Sequence, residues 1–277
     1  MEIVKPFVGI SGVTMIEEVR ALAGIYNKHG FDSRLTGSHE PQISIFLSEQ
    51  SLDKRRRGEQ VGARFAAFDN VHLMVRVCRD FGLVPSISFI TRERKILYEN
   101  IMRVFGEEGI YQSCTRLQLQ VISPEVDEKH LEQVYRIKRR YQKIDLSLNF
   151  ARAAINQGDA VKHAQGYAGL ANRVVIDFSC GGGTCFEPEK AAKYYEEIQQ
   201  KRMDVGIGFA GGLDGETFKQ LVGGLAERLN WNYGFSIDAL SRLRDKRSEQ
   251  YADDALNISK AMNYIFAASE TLGQRKN

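Results

Sequence analysis

Short runs in which apolar and polar residues alternate are interleaved, along the whole chain, with longer runs of helical period. The strand-like runs are 7–11, 42–48, 84–91, 115–122, 143–150, 173–179, 204–210 and 233–239. Helical spacing of apolar residues predicts helices over 14–28, 59–81, 93–108, 127–141, 160–171, 187–202, 214–229 and 252–270. Asp127 and Asp214 sit where an N-cap belongs, and Pro188 suits a first helical turn. Gly30 and Gly82 stand where helices give way to extended chain. Strand–helix units repeated in this way predict an α/β protein, a single (β/α)8 TIM barrel, with an open doubly wound sheet as the alternative. No linker rich in Pro, Gly or Ser divides the chain, so residues 1–277 read as one domain, with longer loops at 30–41 and 242–251.

The alternation matters for function. Parallel strands covered on both faces usually read as unbroken apolar runs. Here Ile144, Leu146, Leu148 and Phe150 share one face of a strand while Asp145, Ser147 and Asn149 share the other. Leu117, Leu119 and Val121 likewise oppose Arg116, Gln118 and Gln120, and Ile43, Ile45 and Leu47 oppose Gln42, Ser44 and Ser48. The face of a barrel strand that meets the helices must be apolar, so the polar face must point inward. Deep in the barrel such residues can satisfy one another or hold water. At the C-terminal ends of strands, where barrel sites form, a ligand is the better account. The residues there are Ser48, Gln120, Asn149, Asp177 and Asp238.

Composition removes several classes of function. A formal charge of +3 is too small to point to nucleic acid. The basic runs Lys54–Arg57 and Lys138–Arg140 read as solvated helix faces. No apolar stretch is long enough to span a bilayer, and the first residues lack the shape of a signal peptide. Cys78, Cys114, Cys180 and Cys185 form no CxxC pair and have no His at metal spacing beside them. They read as reduced thiols of a cytoplasmic protein, and no metal or cofactor is expected.

Two glycine clusters follow late strands. Gly181, Gly182, Gly183 and Thr184 come after the sixth; Gly211 and Gly212, flanked by Ala210 and Leu213, come after the seventh, just before the helix expected at Asp214. Glycine lets the backbone turn its N–H groups onto an anion, and a helix N-terminus adds to the attraction. Loops late in a barrel often hold phosphate.

In its second half the chain resembles phosphoribosylanthranilate isomerase, a ribulose-phosphate-binding type of barrel. The likeness rests on Val175-Ile176-Asp177 followed by Gly181-Gly182-Gly183-Thr184, on Ala210-Gly211-Gly212-Leu213, and on Ser236-Ile237-Asp238-Ala239. Weaker echoes are Leu117-Gln118-Leu119-Gln120 and the opening Lys5-Pro6-Phe7-Val8-Gly9-Ile10-Ser11. The resemblance implies a general acid at Asp177 and a phosphate between the two glycine clusters. It fails at the family's catalytic Cys, whose place is taken by Val8, or by Gly9 one residue on. Leu240-Ser241-Arg242 also replaces the family's Ser-Gly, and Cys185 replaces the glycine after Thr184. Arg34 and Arg57 are the candidates for the family's anthranilate-binding arginine, and Cys180 and Cys185 for a replacement base.

The expectation is therefore an isomerase or lyase type of enzyme that moves protons on a small phosphorylated or anionic sugar-like metabolite, with Asp177 and Asp238 catalytic. A non-catalytic anion-binding barrel or subunit of a complex, and a phosphoribosylanthranilate isomerase with a displaced base, remain open. Nothing in the sequence sets the substrate or the oligomeric state.

Overall fold

A computed structural model of the chain describes residues 4–273 other than 36, 55–61, 92–93, 108–109, 122–125, 152–154, 156–158, 180–181, 202, 233 and 249–252. Eight parallel strands close into a barrel in sequential order: β1 (Phe7–Ser11), β2 (Glu40–Ser48), β3 (Val84–Ile90), β4 (Arg116–Val121), β5 (Asp145–Phe150), β6 (Arg173–Asp177), β7 (Gly206–Ala210) and β8 (Phe235–Ala239). β8 returns to pair with β1, Val8 opposite Ile237 and Gly9 opposite Asp238, which excludes an open sheet.

The helices cover the outside: α1 (Ile16–Lys28), α2 (Glu49–Lys54), α3 (Phe68–Asp80), α4 (Leu97–Met102), α5 (Glu128–Arg140), α6 (Ala160–Gly166), α7 (Pro188–Gln200), α8 (Gly224–Arg228) and α9 (Ile258–Gly273). Their apolar stripes bury Val8, Ile10, Ile45, Ile87, Leu117, Leu148, Ile176 and Phe209. The predicted caps are in place: Asp127 accepts from the N–H groups of Lys129 and His130 at 3.0 and 3.3 Å, and Pro188 opens α7. Gly30 and Gly82 have φ of +79° and +77°, a conformation that favours glycine.

Several predicted helices differ from the fold: the one expected over 59–81 begins only at Phe68, residues 62–67 being turn and extended chain. Over 93–108 the chain turns through a 3-10 turn, α4, and a π-helical Arg103–Glu107. The 214–229 helix is widened to a π-helix over Lys219–Gly223 before α8, at a Gly223-Gly224 pair that weakens the α-helical preference. The helix expected from 252 starts at Ile258, with the Asn257 carboxamide accepting from Lys260 N–H at 3.0 Å. Ahead of it Asp254–Leu256 (β10) pairs antiparallel with Arg244–Lys246 (β9), inside what the sequence presents as a loop. What fixes this hairpin is tertiary: Asp254 accepts from Arg244 Nε at 2.5 Å and from Arg64 Nε at 3.0 Å, both buried.

The inward face is polar, as the alternation requires. At the N-terminal end Arg116 reaches Glu40 (2.5 Å), Asp145 (2.9 Å) and Gln42 (3.0 Å). Arg173, wholly buried, lies 3.6 Å from Asp145, donates to Ser147 Oγ and the Lys5 carbonyl, and stacks 4.9 Å above the Phe7 ring. Burial pushes its guanidinium down to about 10, so it stays charged at neutral pH. Above this floor Phe7 and Val175 form a small apolar plug inside the barrel.

Candidate active site at the C-terminal mouth

Above the plug lies a cavity of about 660 Å3, and every strand contributes at least one inward residue to its wall, among them Ser11, Ser48, Ser88, Gln120, Asn149, Asp177, Ala210 and Asp238. All five strand-end residues singled out from the sequence therefore meet in one place. The reason is register. Asp177 pairs with Ala210, which pairs with Asp238, so the two aspartates stand level on either side of β7, about 10 Å apart along the sheet. The inward positions of β7 are Gly206, Gly208 and Ala210, which leaves the space between the carboxylates open above Ala210.

The two aspartates are held differently. Asp177 Oδ1 accepts from Ser179 N–H at 2.9 Å and from the Ser179 hydroxyl at 3.0 Å, so the start of the following loop fixes it. Asp238 accepts from the Ser11 hydroxyl at 2.6 Å through Oδ2, while its buried Oδ1 has no partner among the described residues. Burial pushes Asp238 up to about 7; the Ser11 bond opposes the rise and the charge of Asp177 adds to it. Gln118 Oε1 and Asn149 Oδ1 are buried acceptors that likewise lack a donor among the described residues. Ser48 is engaged locally, its hydroxyl 3.4 Å from that of Ser51.

The glycine loops have a packing role as well as an exposed edge. At Gly212, with φ of +64°, a Cβ would lie 2.4 Å from Cys185 Cα, and at Gly211 3.0 Å from the Thr184 carbonyl. Neither position admits a side chain without moving the neighbouring loop. The buried backbone N–H groups of Gly211, Gly212 and Leu213 meet no acceptor among the described residues, and all three residues line the cavity. Buried amides without acceptors are uncommon, and here they are clustered. From the other loop Gly183 reaches the wall; Gly182 and Thr184 are exposed and stand off it, and Gly181 and Cys180 lie outside the described residues.

Some expectations fall elsewhere. Arg34 is bound to Asp32 beside Gly82, at the N-terminal end of the barrel, so it cannot reach the cavity; Arg57 lies outside the described residues. Lys138 is no solvated charge: its ammonium donates to the Ile144 carbonyl and to Asn172 Oδ1 at 2.9 and 2.8 Å. Arg64 and Arg242, which no sequence pattern marked as site residues, do line the cavity. Arg242 donates to the Gly183 carbonyl at 3.0 Å and pairs with Asp214 at 3.1 Å, tying both glycine loops together. Its signal was present as the Leu240-Ser241-Arg242 departure from the isomerase pattern. Val8 faces the helices, its carbonyl accepting from Tyr26, and Gly9 faces inward without a side chain, so β1 offers no proton-transfer group at either position.

Among the described residues no cluster of three or more His, Cys, Asp or Glu could hold a metal ion, and no helix is long and apolar enough to cross a membrane.

No protein-family model and no curated protein matches the sequence. Solved structures do match in shape. The chain is similar to the carboxyl transferase domain of Rhizobium etli pyruvate carboxylase (10% identity, TM-score 0.54, 97% of this chain) and spans 48% of that structure's length. It is similar over 98% of its length to the whole of a GH113 beta-1,4-mannanase (10% identity, TM-score 0.55). It also matches the phosphoribosyl anthranilate isomerase of Thermococcus kodakaraensis (14% identity, TM-score 0.49, 98% of this chain and 100% of that one). The class is that of (β/α)8 barrels. Identity this low shows the barrel alone, and neighbours with such different names leave the reaction to be read from the cavity.

Proposed function

We propose that the protein is an enzyme of the isomerase or lyase type that transfers protons on a small phosphorylated or otherwise anionic sugar-like metabolite. One observation carries this reading: two inward carboxylates, Asp177 and Asp238, flank a side-chain-free gap over β7, directly below backbone amides that have no acceptor. A ligand seated over Ala210 would place its anionic group at Gly211–Leu213 and its reacting carbon between the aspartates. Asp177 then gives or takes the proton next to a carbonyl or imine, a contribution of about 10²–10⁴-fold for a positioned acid or base. Asn149 presents to the cavity an acceptor oxygen suited to a ligand hydroxyl.

Two measurements test the reading. Inorganic phosphate titrated by calorimetry should bind wild type and protect residues 210–213 from hydrogen exchange; no binding and no protection would remove the anion site. Turnover of a panel of phosphorylated sugars should identify a substrate on which Asp177→Asn lowers kcat about 10²–10⁴-fold while the phosphate Kd stays the same. Full activity of Asp177→Asn would remove the catalytic role, and binding without turnover of any panel member would leave an anion-binding barrel. Phosphoribosylanthranilate itself should not turn over, because Val8 and Gly9 supply no base.

A further inference from the structure

Strand β1 carries no proton-transfer group, yet it shapes the one beside it. Gly9 and Ser11 are successive inward residues, and Gly9 is paired with Asp238. A Cβ on Gly9 would lie 2.8 Å from Asp238 Oδ1, so the missing side chain leaves a notch into which that carboxylate leans. The other oxygen, Oδ2, is tied by the Ser11 hydroxyl at 2.6 Å. Both residues are buried, and both line the cavity.

Taking the cavity as a proton-transfer site, as proposed above, we infer that Ser11 is a positioning residue that, together with the notch at Gly9, seats the Asp238 carboxylate and makes Oδ1 the atom that holds its proton. Because Ser11 donates to Oδ2, a proton on Asp238 resides on Oδ1. When Asp238 is ionised and Asp177 carries a proton on Oδ2, Asp238 takes a proton from the ligand, whose bonding electron pair stays on the ligand, and Asp177 delivers its own proton to it. Exchange with solvent then deprotonates Asp238 and reprotonates Asp177, so the cycle closes with no net change in protons.

Ser11 gives Asp238 its strongest hydrogen bond, and the Ala239 N–H and the Gln118 side chain hold the ionised form more weakly. Asp177 faces Asp238 from β6, and the inward positions of β7 between them carry no titratable side chain. Behind β1, Tyr26 of α1 and Tyr264 of α9 donate to the carbonyls of Val8 and Gly9 at 3.1 and 3.2 Å. Burial, first of all, and the Asp238 charge keep both phenols protonated well beyond neutral pH, so neither titrates alongside it.

The test is a titration of the free, intact protein by NMR with aspartate labelled at Cγ, the Asp238 resonance being identified by its loss in Asp238→Asn. Wild type should titrate near neutrality. Ser11→Ala should raise the midpoint by about one to two pH units, the size of a hydrogen bond to a charged group. Ser11→Thr, which keeps the hydroxyl, should restore it and shows that the shift is not a general loosening of the fold. An unchanged midpoint in Ser11→Ala, or a Ser11→Thr protein that titrates like Ser11→Ala, would overturn the role of Ser11. No substrate enters the measurement. Full activity of Asp177→Asn would therefore defeat the catalytic reading without moving this midpoint, and an unmoved midpoint would defeat the present inference whatever the protein turns over.

Discussion

The two ends of the barrel interior are built from the same strands and the same alternation, but their polar groups behave in opposite ways. At the N-terminal floor Glu40, Arg116, Asp145 and Arg173 pair their charges with one another and reach Gln42, Ser147 and a backbone carbonyl, and only Asp145 Oδ1 and Arg173 Nε of this group are buried without a hydrogen-bond partner among the described residues. At the C-terminal mouth Asn149 and Asp238 each keep a buried oxygen without a donor among the described residues, and among those residues the amides of Gly212 and Leu213 have no acceptor beside them. An unmet buried polar group costs about 1–3 kcal/mol; at the floor neighbouring ion pairs offset that cost, whereas at the mouth the unmet oxygens face the cavity. That is the pattern expected where one end of a barrel serves the fold and the other serves a ligand.

The contrast can be broken most directly through Asp238. Its folded pKa is raised, so the folded chain holds this proton more tightly than the unfolded chain does. The resulting stability is fully present below the unfolded value near 4 and is lost as pH rises through about 7. The loss should reach at most about 4 kcal/mol. Urea unfolding between pH 5 and 8 should show wild type weakening with pH and Asp238→Asn lacking this part of the slope. Parallel curves for the two proteins would mean that the mouth does not hold a strained acid.

At the floor, Arg173→Met should cost about 3 kcal/mol, seen as a lower denaturation midpoint at unchanged m, because Asp145 keeps one guanidinium instead of two and the Lys5 carbonyl loses its donor. A cost below about 0.5 kcal/mol, the ordinary range for surface changes, would show that the floor is no more than a decorated surface. The smallest effect sharpens the comparison from the other side. Asn149→Leu removes an acceptor that nothing meets, so stability should stay level or rise by less than about 1 kcal/mol while binding of a hydroxylated ligand weakens. Marked destabilisation would show that Asn149 belongs to a satisfied network after all.

Much of this architecture was legible in the chain. The period of two in 42–48, 115–122 and 143–150 states which residues face the helices, because a side chain on a strand has only two directions to choose from. Together with eight alternating units it is enough to predict the closed barrel and to bring Ser48, Gln120, Asn149, Asp177 and Asp238 to one wall. The caps at Asp127 and Pro188 and the glycine turns at 30 and 82 were legible for the same reason: their chemistry is local.

Other features lie beyond any local pattern. The hairpin at 244–256 exists because Arg64, some 190 positions before Asp254 in the chain, needs that carboxylate. Ser11 and Asp238 are 227 residues apart and meet only because β8 closes onto β1. The glycines at 211 and 212, read from sequence as an anion cradle, are also required by the loop at 184–185 that presses on them. Sequence by itself determined the faces of the strands, since covalent geometry sets that alternation residue by residue. Only the tertiary structure decided which polar residues satisfy each other and which stay unmet, since hydrogen bonds and burial depend on partners that the closure of the barrel brings together.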